Sequence, residues 1–453
     1  MATITLPTPP DRHRELPALP AGTAWWTFCA ATALALAAFS SLGPHRIWGA
    51  AAALGYTAAA VLAAAGRSPR TAGAVAVAGA VLVPLALLLA ADRAQLEVAV
   101  VARSAELLLS EGTPYPERPA APEDFNPYLP GMAFFGIPEA VAGPGPLTDP
   151  RLWMGAAFLG AFALALPARS RRAPLRWIAG CPLVALPLAV GGVDLPVAGL
   201  MCLGLAQAGR GRAGPAGLAL GLAAALKWTA WPAAPVALAL LAAARGGDGR
   251  RGSRAALRCG LVTLLTAAAL VLPAALRDPG AFRTHVVDFP LGLTDALSSA
   301  ASPLPGHLLA TQVPGGRTLA LLLLAVSALL LALSLPVRPP ATAAAAAGRL
   351  ALGLLLAIAF MPATRFGYLV HPLVLVAWAL ARQAPAHPLG VREPVPVRER
   401  KQAPDDTPPH PCGDQRLPAA PGRHRDLRPG DDRPVSPGLR RRPHLCRTRG
   451  GRP

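Results

Sequence analysis

The sequence predicts an all-α, polytopic membrane protein of about 10–12 transmembrane helices, with long outer loops and a disordered C-terminal tail. Three observations carry this. Of 453 residues, 53% are hydrophobic and only 15% charged. Uncharged apolar runs of 16 to 21 residues recur along most of the chain, which a bilayer requires and a soluble core does not. The arginines between these runs fall on alternate connections, the pattern that orients membrane helices. A secreted, fibrous or nucleic-acid-binding protein is excluded. The net charge of +19 divides into +7 on residues 383–453 and +12 on 1–382, where it sits mostly in short loops between the runs.

Residues 1–22 form a cytoplasmic N-terminal segment, and 23–382 the transmembrane domain. The first run, 24–42, follows Arg12 and Arg14 and has the look of a signal peptide, but it is long enough to span and is taken as an uncleaved helix. Further runs cover 47–65, 71–91, 152–167, 175–191 and 195–208. Others cover 214–244, 257–276, 317–336, 350–362 and 366–382. The stretch 214–244 is too long for one span. Lys227 interrupts it beside Trp228 and Trp231, so Lys227–Pro232 is expected at an interface between two short helices or a re-entrant pair. The remaining tryptophans mark span ends at the headgroup level.

Basic connections at Arg67 with Arg70, 169–176, Arg210 with Arg212, 245–258, and Arg338 with Arg349 share one side if the N-terminus is cytoplasmic; Arg46 is the exception. The opposite, extracytoplasmic side receives two long loops, 92–150 and 277–316, the first carrying nine acidic residues. Chemistry is expected there. From Gln383 the chain has 15 prolines in 71 residues and no aromatic residue. It cannot bury a core and reads as a disordered basic tail, or as a gene read out of frame. The six cysteines show no CxxC spacing and suggest buried small hydrophobes.

Residues 95–112 place Val98, Val101, Ala102, Ala105, Leu108 and Leu109 at helical spacing, with Glu97, Arg103, Ser104, Glu106 and Glu111 opposite. This is an amphipathic helix suited to the membrane surface, ended by Gly112. A turn at Thr113-Pro114-Tyr115 follows, and then Asp124-Phe125-Asn126-Pro127-Tyr128-Leu129-Pro130 leads back towards the membrane.

The surface helix, the Gly112-Thr113-Pro114-Tyr115 turn and the segment around Asn126–Pro130 together resemble glycosyltransferase family 87, in the GT-C superfamily of polytopic sugar transferases. Leu218–Pro232 also resembles a lysine-bearing helix of that family. The resemblance covers roughly residues 92–382. It implies a GT-C-like fold and inverting transfer of one sugar, mannose in a well-known branch, from a polyprenyl-phosphate donor to a glycolipid or polysaccharide acceptor. The reaction lies outside the plasma membrane, in contact with membrane lipids, and needs neither cofactor nor metal. The family's loop opens D-x-x-V-Y; here Glu97 stands in the aspartate's place and Val101 in the tyrosine's. The resemblance makes Glu97 the general base, with Asp92, at the end of the preceding span, as second candidate.

Such a transfer needs a carboxylate to take the acceptor's proton and cations to meet the charge developing on the leaving phosphate. Lys227, the one lysine before the tail, is the first candidate for phosphate, against a plain interfacial reading. Arg365, His371 and His307 are further candidates for phosphate or sugar hydroxyls. His285, Asp288 and Asp295 share the second loop. Tyr115, Asn126 and Tyr128 either shape a sugar cleft or brace a packed loop. Asp194 is read as a helix N-cap, with sugar binding as the alternative. A lipid-linked-sugar transporter or flippase and an inactive scaffold are the competing functions. A transporter calls for internal repeats and mid-bilayer ionisable residues, which this pattern lacks.

Overall fold

The computed structural model describes residues 21–168, 171–243, 249–294, 296 and 300–383. The N-terminal segment to residue 20, the tail from 384, the arginine stretch at 169–170 and Asp295 lie outside them. Within them the protein is all-α and polytopic. The helices are α1 (Ala21–Phe39), α2 (Gly43–Ala64), α3 (Pro69–Ala90), α4 (Leu96–Glu111), α5 (Pro150–Ala165), α6 (Arg172–Gly180) and α7 (Pro182–Val190). They continue as α8 (Asp194–Gly209), α9 (Ala213–Leu226), α10 (Ala233–Ala242), α11 (Gly249–Arg277), α12 (Gly316–Val337), α13 (Ala343–Phe360) and α14 (Val370–Gln383).

Six of these are each long and apolar enough to cross a bilayer: α1, α2, α3, α11, α12 and α13. α6 and α7 pass the same test only together and are bent by 75° at their break, the geometry of a broken span or of a re-entrant loop. Cys181 takes extended backbone before Pro182, as a residue preceding proline does. The remaining apolar runs form shorter helices. At 16 residues, α8 reaches about 24 Å at 1.5 Å per residue, less than the ~30 Å hydrocarbon thickness. It is sheathed by protein instead, packing on α5, α9, α10, α13 and α14 with Leu195, Val197, Met201, Cys202 and Leu205 all buried. A helix apolar all round belongs in such a centre.

Local chemistry sets the boundaries. Ser68 and Thr342 cap α3 and α13 with their hydroxyls, and Asp149 caps α5 before Pro150, satisfying amides that a helix start leaves unpaired. A π-turn at Ala78–Leu82 precedes Pro84 in α3, absorbing the backbone donor that proline lacks. α2 and α3 cross where a Cβ on Gly55 would lie 2.5 Å from the Cα of Gly79, so no side chain fits there. Gly112, at φ +78°, ends α4 as expected.

Two tryptophans are held by the protein itself. Trp48 and Trp378 are fully buried, their indole N–H groups donating to the carbonyls of Ala80 and Ala165. An internal acceptor replaces the interfacial water that would otherwise hold them.

Candidate functional site

Backbone ties bring distant segments to one end of the bundle. The amide of Gln95 donates to the carbonyl of Val190, fixing the start of α4 beside the turn that opens α8. Gly191 in that turn has φ +117°, and a Cβ there would meet Val98 of α4 at 2.2 Å; only glycine allows this approach. The amide of Leu129 donates to the carbonyl of Leu226, setting Tyr128 next to Lys227. Thr364 exchanges backbone hydrogen bonds with Ala300 and Ser302, which fixes the strand of chain carrying Arg365.

The result is a cluster of two carboxylates, a lysine, an arginine and a histidine. Lys227 Nζ donates to Asp194 Oδ1 at 2.5 Å, and His371 Nε2 lies 3.0 Å from the same oxygen. Arg365 Nη1 donates to Glu97 Oε1 at 2.5 Å. The Lys227 ammonium stands 4.7 Å from the ring centre of Tyr368 and 5.6 Å from that of Tyr128, within cation–π range. Thr229 Oγ1 approaches His371 Nε2 at 3.4 Å. The Lys227 and Asp194 side chains are 11% and 14% exposed and His371 1%, whereas Arg365 is 36% exposed. A deep charged pair therefore adjoins a more open one.

Lys227 sits where the chain breaks. α9 ends at Leu226, Lys227 is extended, and a short 3-10 turn at Trp228–Ala230 leads to α10. The interruption expected at this lysine is present. Asp194 differs from its expected capping role. Val193 occupies the cap position, and the Asp194 carboxylate in the first turn of α8 faces Lys227 and His371 instead. Sequence reasoning also passed over Tyr368.

The other candidates fall elsewhere. Asp92 is exposed in a left-handed turn at φ +50° between α3 and α4. His307 Nδ1 pairs with the carbonyl of Pro362, bracing the chain that leads to Arg365. Asp288 forms an ion pair with Arg283. Tyr115 and Asn126 are buried and hydrogen-bonded within the loop. Tyr115 donates its hydroxyl to the carbonyl of Tyr128, and burial pushes the phenol's pKa up so that this proton stays. The Asn126 amide donates to Ser104 Oγ and the Pro114 carbonyl, while its oxygen accepts from the Tyr128 amide. They hold in place the loop that presents Tyr128.

His285 completes this brace. Its Nδ1 accepts from the Asn126 amide at 3.1 Å, and its Nε2 donates to the Pro116 carbonyl at 2.8 Å. Both bonds suit the neutral ring, and burial lowers its pKa below the usual 6.5. The unfolded chain therefore takes up a proton that the folded chain refuses. The stabilisation is complete above about pH 6.5 and declines as the pH falls below it. The unfolding temperature should drop between about pH 7 and pH 5, and His285→Gln should flatten that slope. An unchanged slope in the variant would assign the effect to another group.

The fold and this cluster define a class: a multi-pass helical membrane protein that gathers its buried charges at one end, beneath a structured loop. The chain belongs to glycosyltransferase family 87, whose model matches residues 126–362, just over half of it. It is thus a membrane glycosyltransferase. Tyr128, Asp194 and Lys227 fall within the matched stretch; Glu97, Arg365 and His371 flank it. No curated protein and no solved structure matches the chain.

Proposed function

We propose that this glycosyltransferase moves a single sugar, mannose being the first to test, from a polyprenyl-phosphate donor to a glycolipid or polysaccharide acceptor. The transfer occurs at the extracytoplasmic face of the plasma membrane, with inversion. The observation that carries this reading is the pairing of Arg365 with Glu97 and of Lys227 with Asp194, two cations each held on a carboxylate where helices end.

In this mechanism the donor's phosphate lies between Lys227 and Arg365, with His371 and Tyr128 adjoining. The phosphate competes with Glu97 for the Arg365 guanidinium and frees the carboxylate. The acceptor oxygen then forms its bond to the anomeric carbon as Glu97 takes the hydroxyl proton. The bond from that carbon to the phosphate oxygen breaks, and polyprenyl phosphate leaves with its charge held by the two cations.

Membranes containing the protein, given labelled polyprenyl-phosphate sugars, should yield labelled glycolipid or polysaccharide. Folded protein that labels nothing across a panel of donors would overturn the reading. The proposed topology is checked separately. In a background without native cysteines, Glu123→Cys should react with an impermeant reagent applied outside, and Arg67→Cys should not. The reverse pattern moves the site to the cytoplasm.

A further inference from the structure

Asp194 stands apart from the carboxylate assigned to proton transfer, yet one of its oxygens receives both Lys227 Nζ and His371 Nε2. Those partners lie 33 and 177 residues away in sequence, at the α9 break and the start of α14. The elements bearing all three residues are already tied together. α8 packs on α14, and the 3-10 turn after Lys227 packs on α8 and α9. The carboxylate also sits in the first turn of α8, where the helix dipole favours an anion.

We propose that Asp194 is the positioning residue of the donor-phosphate site, holding Lys227 charged and aimed, and His371 in one orientation. This rests on the proposed polyprenyl-phosphate reading. Three points argue for it. A lysine as enclosed as Lys227 has many rotamers and a costly charge, and an opposing carboxylate settles both. The ammonium lies within reach of both the Tyr368 and the Tyr128 ring, so Asp194 and the two rings confine its direction. His371 Nδ1 is buried with no partner among the described residues, while Nε2 faces Asp194. With its other nitrogen enclosed in protein, the ring's contact with Asp194 sets its orientation. The charged and titratable neighbours of Lys227 are Asp194, Glu97, Tyr368, Tyr128, Arg365 and His371. Of these, Asp194 alone is a carboxylate in direct contact with it.

The test measures binding and turnover separately on full-length protein in detergent. Binding of undecaprenyl phosphate, without sugar, is read by native mass spectrometry or thermal shift, and donor KM and kcat by transfer. Asp194→Asn should weaken undecaprenyl-phosphate binding roughly 10- to 100-fold and raise donor KM, with a smaller change in kcat. Asp194→Glu keeps the charge but shifts it by one methylene. It should retain the wild-type unfolding temperature, bind donor lipid less tightly than wild type and more tightly than Asp194→Asn. If Asp194→Asn does not fold, Asp194→Glu alone decides. A folded Asp194→Glu that binds as wild type overturns the positioning role, as does a folded Asp194→Asn with unchanged affinity. Wild-type protein that binds no undecaprenyl phosphate at all overturns the donor assignment itself, a separate failure.

Discussion

Glu97→Gln should leave the protein inserted and folded while lowering sugar transfer by about 10²–10⁴-fold, the range for losing a general base. The change is nearly isosteric and keeps a hydrogen-bond acceptor for Arg365. That arginine is a third exposed, so loss of its counter-charge costs under about 1 kcal/mol of stability. Glu97→Asp should keep part of the activity or exceed wild type, since an aspartate occupies the equivalent position in the family the sequence resembles. Purified variants are compared by transfer rate and by unfolding temperature. Transfer that survives in Glu97→Gln but is lost in Asp92→Asn would move the base to Asp92. If neither change affects transfer, the carboxylate-base mechanism fails for this protein.

Lys227→Met should be the most destabilising substitution at the site. It keeps the length and packing of the side chain but leaves Asp194 enclosed with only His371 facing it. Breaking a buried pair from one side costs about 3–5 kcal/mol, a large share of a protein's ~5–15 kcal/mol. The same variant should lose donor binding. Adding Asp194→Asn removes the stranded charge, so the double variant should recover most of the lost unfolding temperature without recovering transfer. Recovery of transfer in the double variant would show that Lys227 does not hold the donor.

The helices were legible in the sequence because each is written locally. α1, α2 and α3 match the first three apolar runs within a few residues, and the break at Lys227 follows from a charge inside an apolar stretch. α4 was legible down to its last residue, since Gly112 stops it. The partnerships were not. Glu97 and Arg365 lie 268 residues apart, and no periodicity connects them. Asp194 looks like a cap in sequence because it stands in a short turn between two apolar runs. One signal was present. Asp194 is the sole acidic residue between Asp149 and Asp248, and Lys227 the sole lysine before the tail. Two solitary opposite charges among apolar helices are costly apart and tolerable together. Tyr115 and Asn126 were ambiguous for a different reason. The residues that brace a polar loop are the same types that line a sugar cleft, and only their hydrogen-bond partners separate the two.

The distance between Glu97 and Arg365 along the chain has a consequence for how the protein is made. A nascent chain threads into the membrane from its beginning, so α4 and Glu97 emerge long before Arg365 and α14. Until then no arginine answers Glu97 and no histidine answers Asp194. Both carboxylates gain these partners only once the segment carrying Arg365 and His371 packs against α8.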